Sequence, residues 1–290
     1  MEKAVLVNNA SQLRLIEPAG YDRLYFGSEF CEKLIPGQGE LKRALAYAVK
    51  RELSFSLVTP YVTNKGMNEL LPLFDALAAS RVPCEVIIND WGVLRLVNRK
   101  YKSFYPVLGR LLTKQKRSPE LQSLLARMKK PLPFCVVNKA FPGKKTIVFP
   151  KELPRSLDAY YKGSNVSSVP IIQSFLAENR VKRIELDNTA QGLHLELNGN
   201  ELSVSLYLPY VYITTTFLCP TAGCVVHPQR HTRECRQECG KYFFKLRHKA
   251  MPKTLYLKGN SLFYKNSHLR LKGIGNSAVN RIVYCPDVLL

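Results

Sequence analysis

Along the first ninety residues the apolar positions switch repeatedly between short runs and a helical spacing. "RLYFG" (Arg23 to Gly27) is a brief apolar run ending in glycine, and "SFSLVTPYV" (Ser54 to Val62) is a second β-like run. Between them "ELKRALAYAVKREL" (Glu40 to Leu53) places its apolar residues at three- and four-residue steps, as one face of a helix requires. "NKGMNELLPLFDALAASR" continues with a helix opening near Asn64, and "CEVIIND" (Cys84 to Asp90) with a third strand. Strand, helix, strand, helix, strand predicts parallel βαβ units, because a parallel pair needs a crossover long enough to hold a helix.

The second half resumes the pattern. "SSVPIIQSFLAENR" (Ser167 to Arg180) predicts a helix and "VKRIELDN" (Val181 to Asn188) a strand. "ELSVSLYLPYVYITTTFLC" (Glu201 to Cys219) is rich in β-branched and aromatic residues, with Pro209 marking a break or a bulge. "TLYLKGNSLFYKN" predicts a hairpin that turns at Gly259-Asn260. No repeat or low-complexity segment interrupts the order. The expected fold is therefore one α/β domain over residues 1–290, a TIM-barrel-like (β/α) domain, irregular or incomplete in places, with a doubly wound sheet as the alternative. One regularity favours the barrel: Cys31, Asn89-Asp90, Asp187-Asn188 and Cys219 all follow predicted strands, where parallel barrels gather functional groups. Polar residues also mark strand exits for purely structural reasons, and the Asn-Asp pairs fit that reading equally.

Charge changes the picture. The net charge is +21, and between Arg95 and Lys162 seventeen Lys or Arg stand against Glu120, Glu152 and Asp158. Such a stretch, read as a basic insertion around 95–162, attracts polyanions through counterion release, so RNA, anionic lipid or an acidic partner becomes a candidate ligand. The plain alternative is a solvated basic face, and no aromatic-rich RNA-binding strand accompanies it. Within it, "SPELQSLLARMKK" predicts a helix capped by Ser118 with Pro119 at its first position. The N-terminus lacks a charged leader followed by an apolar core, and no run approaches ~20 apolar residues, so the expectation is a soluble cytoplasmic protein with no transmembrane segment.

The eight cysteines then matter as ligands rather than as a disulfide framework. Cys84, Cys135 and Cys285 lie alone in apolar surroundings and read as core. The segment 219–239, "CPTAGCVVHPQRHTRECRQEC", carries Cys219, Cys224, Cys235 and Cys239 together with His227 and His231. "TRECRQEC" predicts a short helix from about Thr232 to Gly240 that puts Cys235 and Cys239 on one face. Structural zinc is one candidate, yet its ligand pairs are usually separated by a dozen or more residues, and here they crowd together. Pro228 also interrupts any helix running through His227. An iron-sulfur cluster is the other candidate, with Cys235, Cys239, one of Cys219 or Cys224, and Cys31 as thiolates. A thiol redox pair ranks third, because C-x-x-x-C is not the C-x-x-C spacing.

At these residues the chain resembles a known family. "YFGSEFC" (Tyr25 to Cys31), "IINDWGVLRL" (Ile87 to Leu96) and "CPTAG" with "CRQEC" are similar to stretches of the U32 peptidase family, the collagenase-like peptidases. The likeness is to the short members that act in oxygen-independent ubiquinone hydroxylation. The resemblance implies a barrel-like fold and a 4Fe-4S cluster held by Cys31, Cys219, Cys235 and Cys239, with Cys224 as the alternative to Cys219. It also implies a homologous U32-family partner subunit in a heterodimer, and a role in ubiquinone-type hydroxylation or RNA modification. The alternatives are a zinc-stabilised nucleic-acid-binding protein and a U32-type peptidase. For the latter no Ser/His/Asp set or HExxH is present.

Overall fold

The computed structural model describes residues 1–16, 20–117, 119, 134–137, 145–148, 162, 169–195, 202–224, 235–247, 251, 253–269 and 278–286. In chain order the strands begin with β1 (Glu2–Val7), β2 (Arg23–Gly27), β3 (Ser54–Thr59), β4 (Cys84–Ile88) and β5 (Tyr105–Leu108). A two-stranded antiparallel pair follows, β6 (Phe134–Val137) with β7 (Lys145–Val148), and then β8 (Arg183–Asp187) and β9 (Ser203–Leu208). An antiparallel sheet comes next, made of β10 (Tyr210–Thr215), β11 (Phe244–Leu246), β12 (Leu255–Lys258) and β13 (Ser261–Lys265), ordered β10-β13-β12-β11. Finally β14 (Val279–Tyr284) pairs in parallel with both β9 and β1.

Eight strands thereby close a parallel barrel in the order β1-β14-β9-β8-β5-β4-β3-β2. The fold is α/β and TIM-barrel-like, and closure excludes the doubly wound alternative. Its irregularity lies in two crossovers. The β6-β7 pair falls between the fifth and sixth barrel strands, where β5 and β8 share only the Leu108–Ile184 register pair. The four-stranded sheet and the cysteine segment occupy the connection from β9 to β14.

Helices cover the outside of the first half: α1 (Gln38–Lys50), α2 (Asn64–Ser80), α3 (Trp91–Lys100) and α4 (Pro170–Glu178). Each has a local cause. In α1 the buried residues Leu41, Ala44, Leu45 and Ala48 recur at helical spacing, and Glu40 accepts a hydrogen bond from the Gly37 N–H at its start. Thr63 caps α2, whose end is marked by Arg81 in the left-handed region at φ 56°. Asp90 caps α3 by accepting from the N–H groups of Gly92 (2.7 Å) and Val93 (3.1 Å). Pro170 opens α4 at the position where a missing N–H costs nothing. The strand residues Leu24, Phe26, Phe55, Leu57, Val86 and Ile88 pack outward into the main core beneath these helices. Burying each contributes roughly 1.5–3 kcal/mol.

The barrel lumen is mixed. An apolar layer includes Leu6, Val58, Ile87, Val107 and Val283. Below it, toward the strands' N-terminal ends, the lumen is ionic. Arg281 donates to Glu2 (2.6 Å) and to both oxygens of Glu85 (2.6 and 3.0 Å), and Arg23 donates to Glu2 (2.6 Å). Arg183 lies 3.8 Å from Glu85. No helix among the described residues is long and apolar enough to cross a membrane.

Three sequence expectations change. The run from Ser203 to Thr215 is split at Pro209, which has no N–H to give the ladder, so β9 stays in the barrel and β10 leaves for the second sheet. Cys219 therefore follows a strand of that sheet and not a barrel strand. Among the described residues from Cys235 on, the expected helix is not formed: Gln237 sits in the left-handed region at φ 59°, which an α-helix does not tolerate, and the 3-10 turn Glu238–Gly240 follows. The basic stretch also begins within the barrel domain's own elements, since the second part of α3, all of β5 and Arg110 lie within 95–162. The predicted helix 118–130 falls outside the described residues, save for Pro119.

Candidate functional site

Strand exits at the C-terminal mouth carry the polar residues that the sequence pattern marks. Asn89, following β4, donates to the Thr59 carbonyl (2.9 Å) and accepts from the Leu111 N–H (3.1 Å). Asn188, following β8, donates to the carbonyls of Asn266 (3.2 Å) and His268 (3.0 Å). Asp90 is the α3 cap. These three are structural, as the plainer reading of the Asn-Asp pairs holds. Asp187 is different, because it anchors a buried ionic group.

Arg110 follows β5 and is enclosed, 1% exposed. It donates to Asp187 (2.8 Å) and makes two hydrogen bonds to the Glu29 carboxylate, one of them at 3.0 Å. Arg117 donates to the other Asp187 oxygen (2.5 Å) and to the Arg110 carbonyl (2.7 Å). Asp187 also accepts from the Tyr212 N–H (3.1 Å), which ties the barrel rim to the second sheet. The Arg110 guanidinium lies 3.9 Å from the centroid of the Tyr207 ring, within cation–π range. Burial disfavours its charge, but Glu29 and Asp187 more than offset this and hold its pKa well above the ordinary value. The guanidinium is thus a fixed cation at the barrel mouth.

Above it lies a cavity of about 270 Å³ between the barrel mouth and the second sheet. Arg110, Glu29, Asn8 and Cys285 are among its lining residues, and so are Cys31, Cys219, Cys235 and Cys239. The four come from three segments: the loop after β2, the turn after β10 and the 3-10 turn before β11. All are free thiols. Burial raises the Cys31 pKa, and the nearby Cys219 and Cys235 add to the shift. Burial likewise pushes Cys239 up to about 11, with Cys219, Cys31 and Cys235 contributing. Mutual electrostatic influence of this kind places the four sulfurs around one space. Among the described residues no three His, Cys, Asp or Glu side chains gather tightly enough to hold a single ion, so the cysteines surround a volume rather than a point.

The segments are pinned together by side chains that the sequence reading missed. Asn260, at the β12–β13 turn, donates to the Phe30 carbonyl (2.7 Å) and the Thr216 carbonyl (3.0 Å), joining the Cys31 and Cys219 segments. Gln237 donates to the Lys33 carbonyl (2.9 Å), joining the Cys235 and Cys31 segments. Glu238 accepts from the N–H groups of Gly223 (2.9 Å) and Arg236 (3.1 Å), joining "CPTAG" to "CRQEC". Gly259 has φ 62°, the left-handed region that favours glycine, at the turn that lies against Cys239.

No family model and no curated protein matches the chain. A solved structure, that of the U32 peptidase Mk0906, is similar at a TM-score of 0.47 and 10% identity, over 98% of this chain and 92% of that one.

The remaining cysteines separate from the set. Cys224 is not on the cavity wall, although Glu238 and Cys219 lie close enough to add to the burial that raises its pKa. Cys84 is core, as expected, with burial pushing its pKa up to about 12. Cys285 is buried as expected but also faces the cavity, beside Arg110. His227 and His231 lie outside the described residues, and Cys135 is described only as part of β6. A signal for Glu29 and Arg110 was present: each is a charged residue within two positions of the glycine that follows or ends a strand, where a barrel mouth begins.

Proposed function

We propose that this chain is a U32-type iron-sulfur protein in which Cys31, Cys219, Cys235 and Cys239 hold a 4Fe-4S cluster, supporting an oxygen-independent hydroxylation together with a homologous partner subunit. The observation that carries this reading is that four free thiols, from three separate segments, line one cavity at the barrel mouth. Soft thiolates are the donors that iron-sulfur clusters take, and four of them match a cubane. Cys219 rather than Cys224 completes the set, because Cys224 lies off the wall. When bound, the cluster supplies one-electron transfer.

The chain's own contribution is positional and electrostatic. Asn260, Gln237 and Glu238 fix the ligand segments relative to one another, and Arg110, its charge met by Glu29 and Asp187, forms part of the same cavity's lining. Purification without oxygen, followed by iron and sulfide assay, tests the cluster. Near-equal iron and sulfide at four per chain supports it, and a colourless protein with stoichiometric zinc overturns it in favour of the zinc-stabilised alternative. RNA modification is distinguished from quinone hydroxylation by RNA affinity, which should fall with salt at roughly 0.7–0.9 log units per neutralised phosphate per log unit of salt. Arg110 and Arg117 do not serve there, since their charges are met inside the protein. The basic residues of 95–162 that lie on the surface would carry that binding.

A further inference from the structure

Deeper in the barrel, beneath the ionic floor of the cavity, stands a carboxylate with no place in the function just proposed. Glu185 projects inward from β8 and is fully buried. One of its oxygens accepts from the Tyr25 hydroxyl (2.9 Å), which in turn accepts from Arg281 (2.7 Å). Among the described residues its other oxygen has no hydrogen-bond partner, and neither has the hydroxyl of Tyr207, also fully buried. The two residues sit on adjacent strands, and the register pairs Glu185 with Ser205 and Asp187 with Tyr207, so both side chains enter the lumen as diagonal neighbours. The Tyr207 ring also meets Tyr25 edge-on at 6.4 Å. Two unpaired polar atoms buried in one lumen are costly unless something joins them.

We infer that Glu185 and Tyr207 form a proton-binding site inside the barrel, bridged by at least one buried water, with Glu185 as the group that gains and loses the proton. A water needs two or more polar partners, and the free Glu185 oxygen and the Tyr207 hydroxyl supply them. The groups facing Glu185 act in opposite directions. Burial favours the neutral acid most strongly; Arg281 on β14 and Arg183 on β8 favour the anion, Glu85 on β4 favours the acid, and the Tyr25 hydrogen bond from β2 favours the anion. The balance leaves the carboxyl at about 7. Burial raises the Tyr207 pKa well above the usual phenol value, and the Glu185 carboxylate adds to the shift, so the phenol stays protonated and available as a donor.

Infrared spectroscopy of the wild-type protein, Glu185→Gln and Tyr207→Phe tests the site, and it needs neither cluster nor activity. The expected result is a protonated-carboxyl band that disappears as pH rises through neutrality, is absent from E185Q and is shifted in Y207F. A wild-type spectrum with no such band across neutrality, or a band that survives in E185Q, overturns the proposal. E185Q keeps the acceptor oxygen facing Tyr25. Should it nevertheless fail to fold, Y207F decides alone: an unshifted band removes the shared water.

Discussion

The two mouths of the barrel are both lined with buried charge, and they use it differently. At the N-terminal mouth Glu2, Arg23, Glu85, Arg183 and Arg281 bond to one another across the lumen, with Glu2 and Glu85 side chains 24% and 16% exposed. That network closes on itself and plugs the barrel. At the C-terminal mouth Arg110 and Asp187 are 1% and 0% exposed, and Arg110 also lines the cavity. The same chemistry, arginine against carboxylate, makes a stopper at one end and the floor of a chamber at the other. What separates them is the crossover. The connection after β9 builds a second sheet over the C-terminal mouth, whereas nothing described covers the N-terminal one.

The largest contrast should come from the cysteines. Cys235→Ala or Cys239→Ala should abolish bound iron in protein prepared without oxygen, and Cys224→Ala should leave it intact. Iron and sulfide assay with the charge-transfer absorbance checks this, and equal loss in all three would erase the distinction between wall and outside. Next is Arg110→Ala, which leaves Glu29 without a counter-ion and Asp187 with Arg117 alone, and should cost about 3–5 kcal/mol in urea unfolding. Arg281→Ala should cost less, about 2 kcal/mol, because Arg23 and partial solvent access still serve Glu2 and Glu85. An equal cost for the two would mean that the mouths differ in shape but not in energetics. Asn260→Ala should cost ~1–3 kcal/mol through two lost carbonyl partners, and it should speed iron loss to a chelator more than it lowers stability.

A pH series sharpens the comparison further. Glu185 has its folded pKa raised above the unfolded carboxylate value, so it contributes most to stability below about 4.5 and that contribution is lost as pH rises toward about 7. Wild-type stability should therefore carry a falling component over this window, with a slope limited to ~1.4 kcal/mol per pH unit for one proton. Glu185→Gln should remove it. Glu2 and Glu85, held below the usual range by their arginines despite burial, act only at lower pH and with the opposite sign.

Much of the barrel was legible in the chain, and the gaps have physical causes. β2, β3, β4 and β8, with the helices between the first three, follow from alternating runs and helical spacing because their outward faces are apolar. β14 was not read, since "VNRIVY" carries Arg281 toward the lumen and so spoils the expected alternation. β5, "YPVL", contains a proline that argues against a strand. The convergence of Cys31 with Cys219, Cys235 and Cys239 was approached through resemblance and strand-exit logic, although Cys219 reaches the wall from the second sheet. Glu29 with Arg110 could not be paired from the sequence, because nothing local links a residue after β2 to one after β5.

The seam between β1 and β14 sets an order of events for the growing chain. β14 joins β9 to β1, so the ring is incomplete until this late strand has been made, and Cys285, directly after it, is among the last residues to reach the cavity floor. All four wall cysteines precede that strand. They emerge while the platform beneath them is still open, and contacts this distant along the chain form slowly. Whatever the thiols are to receive can therefore reach them before the ring closes as well as after it.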